Sequence, residues 1–463
     1  MPEKAEKISQ EELESQKYYM NQVRFLPVRP KTYHIITYGC QMNAHDSENI
    51  AGMLNEMGLK EAPSKEEADF VLFNTCCVRD NAERRALGNV QWLHELQKKR
   101  SDLMIGVCGC MIQQKGMPEK ILKQYRFINL AFGTTNLYRF PELFYRAITG
   151  NQVVIEVSEK DRIVEGLPVN RLRKDAAYIS IMQGCNHFCT YCIVPYVRGR
   201  ERSRDMQSIL KEAEELAKNG TKEVMLLGQN VNSYGKGTAG ATFPELLRQL
   251  DQVGIERIRF MTSHPKDLSD ELIEVMGNSK HVLPQFHLPV QSGSNEVLRR
   301  MNRGYTRETY LKQVESLRRA VPGIGLSTDI IVAFPGETDA QFRETLELVD
   351  EVGFDSAFTF IFSPRAGTKA AEMDGQIPES IASERIQKLI ALQEMRQKQE
   401  MQRFIGQTEE VLVESISRRC EREVSGRGRH GLSITFPGSE MDIGEIRTVH
   451  ITEIKNNTLY GHV

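Results

Sequence analysis

The sequence predicts an α/β chain in three parts: an N-terminal parallel-sheet α/β domain, a central partial (βα)6 barrel of TIM-like type, and a small C-terminal all-β barrel. Three observations predict it. Strand-like and helix-like segments alternate from Lys31 to about Gly150. Six further apolar runs follow between Ala177 and Phe362, separated mostly by amphipathic stretches of helix length, which is an incomplete barrel. From residue 406 onward only short strand-like segments remain.

The elements follow in order. The first thirty residues carry five acidic and five basic side chains and no apolar block, so residues 1–30 stand as an unassigned extension. "YHIITYG", a helical run from Asp46, "DFVLFNT", a helical run from Arg79 and "LMIGVCG" form the sheet domain, residues 31–150. The stretch from Asn151 to about Asp175 lacks helical periodicity and holds Gly and Pro, so it reads as a linker. "AYISIMQG", "EVMLLGQ", "RIRFMTS", "QFHLPV", "LSTDIIVAF" and "AFTFIF" are the barrel strands of residues 176–402, closed by one long helix from about Ser380 to Ile405. "EVLVESIS", "LSITF", "TVHITEI" and "TLYGHV", with a turn at Asn456-Asn457, form the last domain, residues 403–463.

Composition narrows the function classes. With 463 residues, 40% hydrophobic and 26% charged, the chain has ordinary globular make-up, without a secretory leader or a membrane-spanning run, and is expected in the cytoplasm. Nine cysteines in a reducing compartment point to metal or redox chemistry and away from a disulfide framework. The net charge of −2 excludes a uniformly cationic surface, so a nucleic-acid partner needs a local basic patch.

The strongest local signal is "GCNHFCTYC", Gly184 to Cys192, with thiols at Cys185, Cys189 and Cys192 directly after the first barrel strand. Active sites of such barrels lie at that edge. Structural zinc wants four ligands in a closed tetrahedron, and His187 between two cysteines is a poor fourth. A [4Fe-4S] cluster suits three thiolates better, because its fourth iron stays free to dock a ligand such as S-adenosylmethionine. Polar residues at later strand ends are candidate cofactor contacts: Gln229 and Asn230, Gln291 and Ser292, and Asp329. Each can equally be a turn residue or a cap.

The loop and the six units resemble the radical S-adenosylmethionine superfamily, whose aromatic residue before the third cysteine sits near the adenine; Tyr191 holds that place here. Further thiols lie just past three predicted strands of the first domain: Cys40 in "TYGCQMN", Cys76 in "NTCCVRD" and Cys110 in "VCGC". A parallel sheet gathers such ends into one crevice, which suggests a second cluster. By residue type alone Cys77 can replace Cys76 and Cys108 can replace Cys110. The order "YGCQMNAHDSE", "NTCCVRDNA", "GCMIQ", "GCNHFCTYCIVPYVRGRERSR" and a terminal β-barrel is similar to the methylthiotransferase family from about residue 31 onward.

That resemblance implies one [4Fe-4S] cluster on Cys40, Cys76 and Cys110, and the radical cluster on Cys185, Cys189 and Cys192. It also implies two uses of S-adenosylmethionine, as methyl donor and as source of the 5′-deoxyadenosyl radical. "GCQMN" and "VQSGSNEVLRRMNRGYT" resemble the branch that adds a methylthio group at C2 of an N6-isopentenylated adenine, tRNA position 37, in the anticodon stem-loop. Branches acting on threonylcarbamoyl-adenosine or on a ribosomal-protein aspartate are the alternatives, and a non-catalytic iron–sulfur or zinc RNA-binding protein is the alternative in another class. A low-potential electron donor of flavodoxin or ferredoxin type is implied, and no membrane partner.

For the RNA, Arg171–Arg204 holds seven basic and two acidic residues and flanks the radical loop, with Arg198, Arg200 and Arg202 as candidate phosphate contacts. The terminal barrel resembles the TRAM RNA-binding module. It carries eight basic and nine acidic side chains, so contact is expected on Arg418–Arg429, at Arg427 and Arg429.

Overall fold

The structure, a computed structural model, describes residues 6–77, 80–150, 152–158, 160–236 and 241–463. Its first sheet is built on Phe70–Thr75, a strand of six buried residues covered by helices on both faces, which is why the sequence there is one apolar run and not an alternation. The sheet has six parallel strands in the order Lys60–Glu61, Thr32–Thr37, Phe70–Thr75, Met104–Gly109, Leu130–Phe132 and Val154–Glu156. Helix Gln41–Glu56 starts immediately after Cys40, five residues before the Asp46 start that periodicity suggested.

Two boundaries differ from expectation. Val154–Glu156 is the edge strand of the first sheet, so the linker assigned to residues 151–175 begins later; its short apolar run pairs through the main chain with Leu130–Phe132. The extension is a helix, Gln10–Phe25, started by a capping box between Ser9 and Glu12. Met20 and Val23 are buried on its inner side, and it packs along helix Phe140–Thr149. Two apolar positions among many charged ones suffice for docking yet leave no block for a sequence reading to see.

The central domain has the six expected strands, all parallel: Ala176–Ser180, Glu223–Leu227, Arg257–Phe260, Gln285–His287, Gly325–Val332 and Ser356–Ile361. They form two groups of three, joined by a parallel bridge between Ile258 and Val282. The helices between them begin at side-chain caps: Asp205, Thr242, Ser269, Thr306 and Thr338 each accept a backbone N–H of the first turn. Helix Glu379–Met401 covers the sixth strand.

The terminal domain is a closed barrel of five strands. One, Glu423–Arg427, was absent from the sequence reading: its inward residues are Val424 and Gly426, too few apolar side chains to mark a strand. A Cβ at Gly426 would lie 2.1 Å from the Leu412 carbonyl oxygen, so the neighbouring strand requires the glycine. Asn456 and Asn457 have φ of 48° and 58°, the left-handed pair expected for the hairpin turn.

The terminal barrel plugs the amino end of the central one. Arg257 and Arg259, both fully buried, share Glu223 Oε2 at 2.8 Å. Their remaining nitrogens donate to main-chain oxygens of Arg427 at 2.8 Å and Gly428 at 2.9 Å. Above this plug a cavity of about 440 Å³ runs inside the barrel, lined by Tyr178, Met225, Met261, His287 and Phe358 and reaching Gln41 of the first domain. Among the described residues no helix is long and apolar enough to cross a membrane.

Candidate active site

The radical loop is held from several sides. At Gly184, φ is 80° and a Cβ would sit 1.9 Å from the Arg200 carbonyl oxygen, so only glycine lets the two segments close. The Gly184 N–H donates to Gln229 Oε1 at 2.5 Å, and Thr190 Oγ1 donates to the Arg300 carbonyl at 2.9 Å. Arg303, 5% exposed, donates to Cys189 Sγ at 3.4 Å, Tyr191 Oη at 3.4 Å and Tyr305 Oη at 2.9 Å. Burial, with the Cys189 sulfur close beside both, pushes the Cys185 and Cys192 thiols up to about 12. Binding a cation is what deprotonates thiols so placed.

In the first domain Cys40, Cys76, Cys77 and Cys110 meet at the carboxyl edge of the sheet. A Cβ at Gly39 would come within 2.8 Å of Cys76 Cβ, and Cys77 contacts Cys110. Arg198 Nε donates to Cys110 Sγ at 3.2 Å and its Nη2 to Asp46 Oδ2 at 2.7 Å. The Cys77 hydrogen bond, against the effect of burial and with help from Arg198, holds the Cys110 thiol down to about 6. Cys108 is elsewhere: it is a strand residue, 2% exposed, packed with Leu72 and Phe132, and burial raises its thiol well above the ordinary value.

One segment joins the two thiol groups. Ile193, next to Cys192, and Val197 of the helical turn Val194–Val197 pack on Cys77 and Cys110, and Thr134 Oγ1 donates to the Val197 carbonyl at 2.6 Å. The turn thus has the radical loop at one end and the sheet-edge thiols against its side.

The arginine expectations need correction. Arg198 and Arg202 are 3% and 7% exposed, and both are committed inside the protein: Arg202 donates to the carbonyls of Arg162 and Arg198 at 2.8 Å and to Gln183 Oε1 at 2.8 Å. Neither faces an RNA backbone, because the guanidinium groups of both are spent on acceptors inside the fold. Arg200 is exposed, stacked with its Cζ 4.2 Å from the Phe188 ring, and Tyr196 beside it is also exposed. Arg427 is exposed, whereas Arg429 is half-buried and paired with Glu410 at 2.9 Å.

The candidate cofactor contacts separate too. Ser292 is fully buried with its hydroxyl spent on Thr345 at 3.2 Å and the Ser294 N–H at 3.2 Å, so it is a loop brace and not a free contact. Asp329 Oδ2 lies 3.5 Å from His287 Nε2. Asn230 Nδ2 donates to Asp267 Oδ2 at 2.5 Å, and His187 Nε2 also lies 2.5 Å from that oxygen. Lys236 pairs with Asp267 as well, and His187 and His264 stack at 3.7 Å. His187 was weighed in the sequence only as a poor fourth zinc ligand, and His264, Asp267 and Lys236 were missed; "SHPKD" after the third strand was the available signal for His264 and Asp267.

Buried polar atoms at this rim have no partner: Asn230 Oδ1, Ser263 Oγ, His264 Nε2 and Gln291 Oε1. Orphaned groups at the strand ends, beside three clustered thiols, fit a polar ligand chelated to an iron–sulfur cluster.

Comparison with known proteins agrees with this geometry. Family models match the radical SAM superfamily over residues 179–349, the Uncharacterized protein family UPF0004 over 32–133 and the TRAM domain over 402–463. The chain is 49% identical over 98% of its length to the tRNA-2-methylthio-N(6)-dimethylallyladenosine synthase of Caldicellulosiruptor saccharolyticus, covering 95% of that protein. It is 51% identical to the same-named protein of Alkaliphilus oremlandii, over 94% of this chain and 93% of that one. The chain belongs to the tRNA-2-methylthio-N(6)-dimethylallyladenosine synthase family. As a radical SAM protein it uses a [4Fe-4S] cluster and S-adenosylmethionine. Among solved structures, the cobalamin- and [4Fe-4S]-bound radical S-adenosylmethionine methyltransferase TsrM of Kitasatospora setae shares the fold, with a TM-score of 0.55 at 16% identity over 74% of this chain and 77% of that one.

Proposed function

We propose that this member of the family converts N6-dimethylallyladenosine at position 37 of tRNA to its 2-methylthio derivative, with two [4Fe-4S] clusters held by Cys40, Cys76 and Cys110 and by Cys185, Cys189 and Cys192. The single observation that supports the two-cluster reading is the turn Val194–Val197, which follows the radical loop directly and packs against Cys77 and Cys110 at the sheet edge. When bound, the cluster on Cys185, Cys189 and Cys192 would supply one electron for reductive cleavage of S-adenosylmethionine, and the one on Cys40, Cys76 and Cys110 would supply the site for sulfur chemistry.

The chain's own residues do the rest. Gln229 and Arg303 fix the radical loop, and Tyr191, hydrogen-bonded to Arg303, is set to face the adenine of the cofactor. Asn230 and Gln291 present unpartnered oxygens for its polar groups. Exposed Arg200 and Tyr196 beside Phe188 offer a cation and aromatic faces to the unpaired anticodon bases, and Arg427 offers a second phosphate contact. The lumen above the terminal-barrel plug, lined by Met225, Met261 and Phe358, has room for the substrate base and its apolar tail. A low-potential electron donor of flavodoxin or ferredoxin type, in the cytoplasm, completes the system.

The test is anaerobic reconstitution of the full chain with iron and sulfide, followed by incubation with S-adenosylmethionine, dithionite and tRNA bearing isopentenyladenosine. Mass spectrometry of the digested nucleosides should show the methylthio derivative. Turnover only with threonylcarbamoyl-adenosine tRNA, or with a ribosomal protein, would overturn the substrate assignment.

A further inference from the structure

Among the described residues each thiol group has one buried arginine donating to a sulfur, and the two arginines differ in what else holds them. Arg198 donates to Cys110 Sγ at 3.2 Å and at the same time to Asp46 Oδ2 at 2.7 Å, so its charge arrives with a counter-ion. Arg303 donates to Cys189 Sγ at 3.4 Å, but its other partners are neutral: the Pro289 carbonyl at 2.7 Å and the hydroxyls of Tyr305 and Tyr191. Among the described residues no carboxylate forms an ion pair with Arg303, although it is as deeply buried as Arg198.

A buried guanidinium without a counter-ion is unfavourable until negative charge appears beside it. Three cysteine thiolates around a cluster supply that charge, and each electron added increases it. Net charge and hydrogen bonds to sulfur are the means by which a protein sets a cluster's potential. The same hydrogen bond therefore has different electrostatic weight at the two sites: a full cation at Cys189, a charge-neutral pair at Cys110.

The geometry points to a built-in redox ordering: Arg303 favours the reduced state of the cluster on Cys185, Cys189 and Cys192, while the Arg198–Asp46 pair orients Cys110 without net charge and leaves the other cluster the harder to reduce. A single electron from the donor is thereby directed to the site where S-adenosylmethionine is cleaved. Both arginines are positioning residues, acting through a thiolate. The ordering rests on the two-cluster reading above.

The test is an EPR-monitored redox titration of the anaerobically reconstituted full-length protein with dithionite, alongside iron and sulfide counts. Arg303→Met should lower the ratio of reduced to oxidised radical cluster at a fixed potential by roughly tenfold, about 59 mV for a one-electron couple. Arg303→Lys, which keeps the charge, should recover most of that loss. Asp46→Asn, which leaves Arg198 unneutralised, should raise the reduced fraction of the other cluster by a similar factor. Unchanged midpoints in Arg303→Met and Asp46→Asn at native iron content would overturn the ordering. If Arg303→Met loses iron, Arg303→Lys decides: a near-native midpoint supports the role of charge, and a large fall overturns it. An iron count of one cluster in the unaltered chain would defeat the two-cluster reading separately, and the Arg303 midpoints would still judge that residue.

Discussion

Arg257 and Arg427 meet across the joint between the central and terminal barrels, with Arg257 Nη2 donating to the Arg427 carbonyl oxygen at 2.8 Å. The contact depends on Glu223, which holds both Arg257 and Arg259 at 2.8 Å at the floor of the barrel. Removing one partner of such a buried set strands the others, at a cost of about 3–5 kcal/mol. Glu223→Ala should therefore lower the melting temperature and expose the 402–408 joint to limited proteolysis, whereas Lys222→Ala, which breaks only the exposed pair with Glu445, should do neither.

The same carboxylate sets a pH limit. Burial pushes the Glu223 pKa up, but Arg259 and Arg257 outweigh burial and hold it below its ordinary value of 4.5. A depressed folded pKa means the stabilisation is complete above the ordinary glutamate range and is lost as pH falls through the lowered value. Docking of the terminal barrel, followed by small-angle scattering of cluster-free protein, should be constant from neutral pH down to that range and loosen only below it. Loosening that begins near neutrality would contradict it.

Exposure divides the arginines of "RGRERSR". Arg200→Glu should weaken tRNA binding and reduce the slope of log affinity against log salt by about 1, since the side chain is free to reach a phosphate. Arg202→Glu should instead destabilise the fold, because it strands buried acceptors in the radical loop. Fluorescence anisotropy over a salt series, with thermal melts of both variants, separates the two effects.

Iron content distinguishes the thiols. Cys108→Ala should keep the full iron complement and lose only packing, about 1 kcal/mol, because its side chain sits among Leu72 and Phe132. Cys40→Ala and Cys110→Ala should each lose one cluster. Cys77 touches Cys110, so comparison of Cys76→Ala with Cys77→Ala shows which of the adjacent thiols is the ligand; retained iron in Cys76→Ala would exchange their roles.

At the rim, Gln291 Oε1 is buried and unpartnered while the Ser292 hydroxyl is spent on Thr345. Gln291→Ala should weaken S-adenosylmethionine binding by about 1 kcal/mol, roughly fivefold, and Ser292→Ala should leave it alone. Equilibrium dialysis of the reconstituted protein reads both; equal losses would mean that the loop as a whole, and not the Gln291 side chain, holds the cofactor.

The sequence by itself determined the strand and helix alternation, the six barrel strands, the left-handed Asn456-Asn457 turn and the grouping of thiols at strand ends, because periodicity, turn chemistry and ligand spacing are local properties of the chain. Only the tertiary structure decided which charges face water. Arg198, Arg200 and Arg202 are alike in sequence, and the fold buries the first and third while leaving the second exposed. It also brought Asp46 to Arg198 across 152 residues and packed Cys108 into a core that Cys110 avoids. Burial and ion pairing depend on segments distant along the chain, and no local pattern of residues carries that information.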